Sequence, residues 1–296
     1  MPPTGEQIEI VSGPTRAVVT EVGAGLRALV VGERPLVETF AEDERPPKGA
    51  GTVLVPWPNR TKGGHWSFGG AAQQLALSEP EAGNAIHGLL RHTLYRIGER
   101  APDTVTLHAV IAPQSGWPVP LDTSVRYAVD AQGLRVTHSV RNVGAEPVPF
   151  GIGAHPYVRA GNSATDDCTL ALAATLALPL EAGIPTGPAH PIDGAPDPRD
   201  LPMRGVVVDH AFGGCVPAAG DELIRHRLSG PDGVVEVWAD PVFGWVQVFT
   251  PPEFPGRGRA VAVEPMTCPP DALNSGVGLI TIAPGETWTG SWGITG

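Results

Sequence analysis

The chain has 296 residues, 42% of them hydrophobic and 17% charged, with a net charge of −11. Such a length is common for an all-β sandwich folded as one unit, and the apolar share is enough to fill a sizeable core. The acidic balance argues against nucleic-acid partners and against an anionic membrane surface, and no apolar run approaches the roughly 18 residues of a transmembrane helix.

The 38 glycines and 33 prolines are interleaved with Val, Leu and Ala runs, a pattern of many turns between short strands. The start, Met1-Pro2-Pro3-Thr4-Gly5-Glu6, shows neither the basic nor the apolar region of a secretory signal. Cys168, Cys215 and Cys268 are widely spaced and form no Cys-x-x-Cys pair, which suits free thiols in a reducing compartment. A cytoplasmic protein made of a single domain, 1–296, is expected.

In chain order, Ile8–Val11, Ala17–Val22 and Leu26–Val31 read as strands, the last two joined tightly through Gly23-Ala24-Gly25. Glu42–Gly51 reads as a loop. Val53-Leu54-Val55 then leads into Pro56-Trp57-Pro58-Asn59-Arg60, where proline stiffening suits an arginine that presents a planar fork of donors, either to hydroxyls or to a neighbouring acid. In Asn84-Ala85-Ile86-His87-Gly88-Leu89, glycine beside histidine allows close backbone approach. Thr104–Ala112, Leu121–Asp130 and Leu134–Asn142 alternate as half-buried strands. His138 falls in the apolar row of the last one and reads as a core histidine. Ser115-Gly116-Trp117-Pro118 lies between them.

His155 in Gly153-Ala154-His155-Pro156-Tyr157 is held extended by the proline after it, with Tyr157 on the same face. Residues 160–204 are rich in Pro, Gly and Asp and read as a long surface excursion without an interpretable motif. Val206-Val207-Val208-Asp209 reads as a strand ending on an acid, and Val261-Ala262-Val263-Glu264 repeats that pattern before Pro265. Pro269 and Pro270 predict a rigid loop rather than a helix after it. Strands return at Glu222–Leu228, Val234–Ala239, Trp245–Thr250, Gly278–Ala283 and Thr287–Gly293.

These segments are similar, in the same order, to motifs of the aldose 1-epimerase (galactose mutarotase) family. The matching pieces are Pro56-x-Pro58-Asn59-Arg60, Asn84-x-x-His87-Gly88-Leu89, Gly116-Trp117-Pro118, His155-Pro156-Tyr157, Asp209-x-x-Phe212, and Glu264-Pro265 followed by Pro270-Asp271-x-x-Asn274. The resemblance runs from Pro56 to about Trp292. Thr61 departs from it, since many relatives carry Ile there. It implies an all-β fold, a large antiparallel β-sandwich, with Glu264 as catalytic base and His155 as general acid. Arg60, His87, Asp209 and Trp117 would contact the sugar.

Other chemistries fit the residue types less well. No His-x-His or His-Glu-x-x-His spacing suggests a metal site, and no Gly-x-Ser-x-Gly marks a serine nucleophile. Asp209 with Glu264 would suit a glycosidase pair, and a non-catalytic carbohydrate-binding sandwich is the alternative from another class. Ring opening of an aldose needs a base at the C1 hydroxyl and an acid at the ring oxygen, which a Glu and a His supply near neutral pH without any cofactor. The expected partner is a small-molecule sugar, neutral or anionic, with the chain acting as a monomer or homodimer. Arg60, Lys62 and Arg91 flank the motifs and are candidates to meet an anionic group. The rate should follow a bell in pH, rising as the carboxylate ionises and falling as the histidine loses its proton.

Overall fold

Alternation of apolar and polar side chains builds the longest strands. Every second residue of Leu121–Asp130 is buried, and Leu134, Val136, His138 and Val140 of Gly133–Asn142 all face the core. A computed structural model describes residues 2–194 and 197–296. The paired strands in it are almost wholly antiparallel, and together they form the expected large all-β sandwich.

One sheet has nine strands, in the order Arg96–Ala101, Thr104–Ile111, Leu121–Asp130, Gly133–Asn142, Thr287–Thr295, Gly233–Ala239, Ile224–Gly230, Thr169–Ala171 and Leu201–Pro202. The C-terminal strand therefore sits in the middle, between segments far away in sequence. A second sheet of eight strands carries the site. Its central run is Asp209–Gly213, Trp245–Phe249, Val261–Met266, Gly153–Ala154 and Val53–Leu54, and Tyr157–Val158 also pairs with Val261–Met266. A four-stranded sheet begins with Gln7–Ser12, Thr15–Thr20 and Leu26–Val31. One apolar core runs between the sheets, from Ile8 and Leu29 through Tyr127 and Val136 to Val246, Val263 and Trp292.

His138 is fully buried, as its place in the apolar row predicts, and its Nε2 accepts a hydrogen bond from Trp292 Nε1 at 2.9 Å. Three expectations change. Glu264 does not end its strand: Val261–Met266 runs through Pro265, with all six residues buried. Proline's fixed φ is compatible with extended backbone, and Met266 still pairs with Trp245 and Gly153. Conversely, Asp209 opens a strand rather than closing one, because Val206–Val208 lies outside the sheet and Val207 is 84% exposed. A single helical turn, Ala272–Ser275, starts just beyond Pro269-Pro270, with Asp271 as its N-cap. Prolines are tolerated just before a helix, where their missing N–H costs nothing.

Among the described residues, no helix is long and apolar enough to cross a membrane. The excursion 160–204 is partly structured. Leu176–Ala177 pairs with Asp209–Gly213, and Leu180–Glu181 forms a hairpin with Ile184–Pro185. Residues 195 and 196 lie outside the described residues.

Candidate active site

Three adjacent strands of the eight-stranded sheet bring three polar side chains to one surface. Asp209 stands at the start of its strand, Gln247 is in the next, and Glu264 lies directly opposite Gln247 in the third. Gln247 is the one polar residue in Trp245-Val246-Gln247-Val248-Phe249. Its Nε2 donates to Asp209 Oδ1 at 2.5 Å, while its Oε1 is buried without a partner among the described residues. Glu264 is 1% exposed, and its Oε2 likewise has no partner.

The strand on the other side of Glu264 delivers His155. Gly153–Ala154 pairs with both Met266 and Val53–Leu54, and His155 is clamped at its backbone: its N–H donates to Thr52 O at 3.1 Å and its carbonyl accepts from Gly51 N–H at 2.8 Å. Its ring stacks on Tyr157 at 5.2 Å and meets His87 edge-on at 5.5 Å. The imidazole Nε2 lies 3.4 Å from Glu264 Oε1.

That distance would suit an ion pair, but electrostatics points to a neutral one. Burial pushes Glu264 well above the usual carboxylate range, helped by the charge of Asp209 and opposed by Arg60. Burial also pushes His155 down to about 4, against the effect of a hydrogen bond to its own backbone. Desolvation acts on both groups in the same sense, favouring the uncharged carboxyl and the uncharged imidazole. These directions run opposite to the sequence-based expectation, which had the carboxylate ionising at the acid limb of the pH bell and the histidine losing its proton at the alkaline one.

His87 sits at φ 62° in the left-handed region, followed by Gly88 at φ 71°. A Cβ on Gly88 would fall 2.0 Å from the Val55 carbonyl oxygen, so only glycine fits. His87 Nδ1 accepts the Asn59 N–H at 3.2 Å. The proton of the neutral ring must then be on Nε2, as a donor. Burial, with His155 and Arg91 adding to it, keeps His87 neutral by lowering its pKa well below the ordinary value.

Arg60 is gripped rather than free. Its Nε and Nη2 donate to the two carboxylate oxygens of Glu79 at 2.7 and 2.8 Å, and Nη1 lies 3.7 Å from Asp209 Oδ2. Its carbonyl accepts the Asp271 N–H at 2.6 Å, and Asp271 Oδ1 accepts from Lys62 N–H and from Asn274 Nδ2. The Pro-Asp-x-x-Asn segment is thus a brace that ties the Glu264 arm to the Arg60 arm.

Arg60, His87, His155, Asp209 and Glu264 all line one open cleft of about 230 Å³. This is smaller than the roughly 300–1,000 Å³ of clefts that take drug-sized ligands, and it suits a small ligand. Trp117 does not reach it. The indole is fully buried, stacked on Trp66 at 5.1 Å and tilted against Trp57 at 5.9 Å. The turn before it is pressed onto the strand Ala71–Gln74: a Cβ on Gly116 would lie 2.2 Å from Gln74 O, and Trp66 Nε1 donates to Gly116 O at 2.8 Å. Lys62 is also outside the cleft lining, whereas Arg91 and Lys48 are in it.

Sequence reasoning missed Glu79, Gln247 and Asn59. Glu79 precedes Pro80 much as Glu264 precedes Pro265, and Gln247 interrupts an apolar strand. Both were readable signals. Among the described residues no group of three or more His, Cys, Asp or Glu is arranged to hold a metal ion.

The model of the family described as aldose 1-epimerase matches residues 6–295. The chain is 30% identical over 290 residues to the Escherichia coli (strain K12) protein YihR, described as uncharacterised, covering 96% of this chain and 91% of that one. The crystal structure of a galactose mutarotase-like protein from Clostridium acetobutylicum superposes with a TM-score of 0.86 at 16% identity, covering 97% of this chain and 94% of that one. A putative aldose 1-epimerase from Escherichia coli K12 gives 0.82 at 21% identity, with 98% of both chains covered. With its sandwich, its cleft and a family match over almost its whole length, the chain belongs to the aldose 1-epimerase family.

Proposed function

We propose that the protein is a cofactor-independent aldose 1-epimerase acting on a hexose or a closely related sugar. The observation that carries this reading is the buried Glu264–His155 pair, 3.4 Å apart at the cleft. O1 and O5 of a pyranose are bonded to the same carbon, so an acid and a base that serve both must be near neighbours. In the active tautomer the pair's proton is on His155. Glu264 takes the C1 hydroxyl proton while His155 gives its proton to O5, and the C1–O5 bond breaks as the C1=O bond forms. Rotation about C1–C2 presents the other face of the aldehyde. His155 then removes the proton from the C5 hydroxyl, and Glu264 returns one to O1. One proton leaves and one arrives at each stage, so charge balances without a redox step. His87 Nε2–H and the Arg60 Nη1 hydrogens are donors near the Glu264–His155 pair, and Asp209 and Gln247 Oε1 offer acceptors there.

A second reading, an aldose bearing an anionic substituent, is favoured by one feature. Arg91 and Lys48 line the cleft, and among the described residues neither has a carboxylate oxygen at ion-pair distance, although Glu79 is near enough to Arg91 to act on its charge. Among the described residues Arg91 donates only to Ser78 O, at 3.3 Å, although it is partly desolvated. A half-buried guanidinium with spare donors is suited to a sulfonate or phosphate. The three buried, unbridged cysteines accord with a cytoplasmic setting.

The test is exchange NMR or polarimetry on pure anomers, neutral and anionic, before and after chelator treatment. Accelerated interconversion that survives the chelator is expected. Sugar binding without acceleration at any pH would instead make the protein a carbohydrate-binding sandwich.

A further inference from the structure

The excursion that carries no sequence motif ends against the substrate arginine. Ala182 and Gly183 form the two-residue tip of the Leu180–Pro185 hairpin, with φ of 49° and 76°. Positive φ at both positions is what a tight turn between right-twisted strands requires. A Cβ on Gly183 would lie 2.2 Å from Arg60 Nη1 and 2.8 Å from its Cζ. The tip therefore rests directly on the guanidinium.

The hairpin base is fixed to the same strands that carry the site. Leu176–Ala177 pairs with Asp209–Gly213, Leu178 N–H donates to Ala211 O at 3.1 Å, and Leu178 is buried with Ala211, Trp245 and Met266. Glu79 takes Nε and Nη2 of Arg60, which leaves Nη1 between Gly183 and Asp209. A side chain at 183 has nowhere to go without breaking the Glu79 fork or lifting the tip.

We propose that this hairpin tip is the outer wall of the Arg60 seat, and that Gly183 is a positioning residue for sugar binding. The role rests on the reading of the cleft as a sugar site. Gly183 touches no reacting atom. It sets where Nη1 points, so its loss acts on affinity more than on the proton transfers at Glu264 and His155.

The test compares Gly183→Ala and Gly183→Asn with Gly205→Ala. Gly205 lies in the segment just after the excursion at φ 68° with nothing within 4 Å of its Cβ position, so it reports backbone strain alone. Asn accepts the left-handed conformation and separates the clash from the strain. Both Gly183 variants should raise KM roughly ten- to a hundredfold, the worth of one hydrogen bond from a charged donor. Their kcat should stay within about twofold, and Gly205→Ala should leave KM unchanged. In an Arg60→Lys background, Gly183→Ala should add nothing, because Nη1 is gone. Independently of any activity, the Nε–H NMR resonance of Arg60 should move in the Gly183 variants and not in Gly205→Ala. If that resonance stays put, or if the Gly183 and Gly205 variants share one KM, the seat is refuted. Absence of exchange activity in the wild-type protein, with the resonance still moving, would refute only the proposed function.

Discussion

Replacing Glu264 by Gln tests both the chemistry and the electrostatics of the cleft. The amide matches the carboxyl in shape and keeps hydrogen-bonding capacity toward a sugar hydroxyl, but it cannot accept the C1 proton. Removing a positioned base costs roughly 10²–10⁴ in rate, or about 3–5 kcal/mol of barrier, with KM much less affected. A second consequence follows from burial, since the 1% exposed carboxyl has its pKa raised well above the usual range. A carboxyl protonated in the fold contributes stability that is complete below the unfolded-state value. That contribution is lost as pH rises through the folded-state value. Gln cannot ionise, so the variant should melt higher than the wild type at alkaline pH, with the gap closing as the pH falls to mildly acidic values. The assays are anomer-exchange NMR and thermal melts across that range. A near-native rate in a folded variant would refute the base, and a melting difference independent of pH would refute the raised pKa.

His155→Asn should slow exchange and remove the acid limb of the pH–rate curve near the value of about 4 assigned to the histidine, whereas Glu264→Gln should remove the alkaline limb. Stopped-flow polarimetry across pH checks both, and an alkaline limb lost in His155→Asn would reverse the assignment. Glu79→Ala should free Arg60 from its fork and raise KM by ~10- to 100-fold, with kcat changed far less, as steady-state kinetics will show. Trp117→Ala should destabilise the fold by about 3–5 kcal/mol, as expected for emptying a buried aromatic site. Trp117→Phe, if stable in denaturant titration, should leave KM as it was, since the indole does not line the cleft.

What the sequence determined by itself is what depends on neighbours along the chain. Period-two alternation marked Leu121–Asp130 with its bounds and placed His138 in the core, because side-chain direction in a strand is set by parity. Glycine and proline beside His87, His155 and Arg60 marked backbone that had to be tight or extended, and the family resemblance then supplied roles for those side chains. What the tertiary structure decided depends on residues far apart in sequence. Packing on Trp57 and Trp66 holds Trp117 in the core rather than the cleft. Pairing with Trp245 and Gly153 carried the Glu264 strand through its proline. Glu79, 19 residues from Arg60, and Gly183, much farther, became the arginine's seat only when the loops folded over the sheet. The upward shift of Glu264 and the downward shift of His155 have the same origin. A pKa answers to desolvation, and burial is a property of the packed whole that no local stretch of sequence contains.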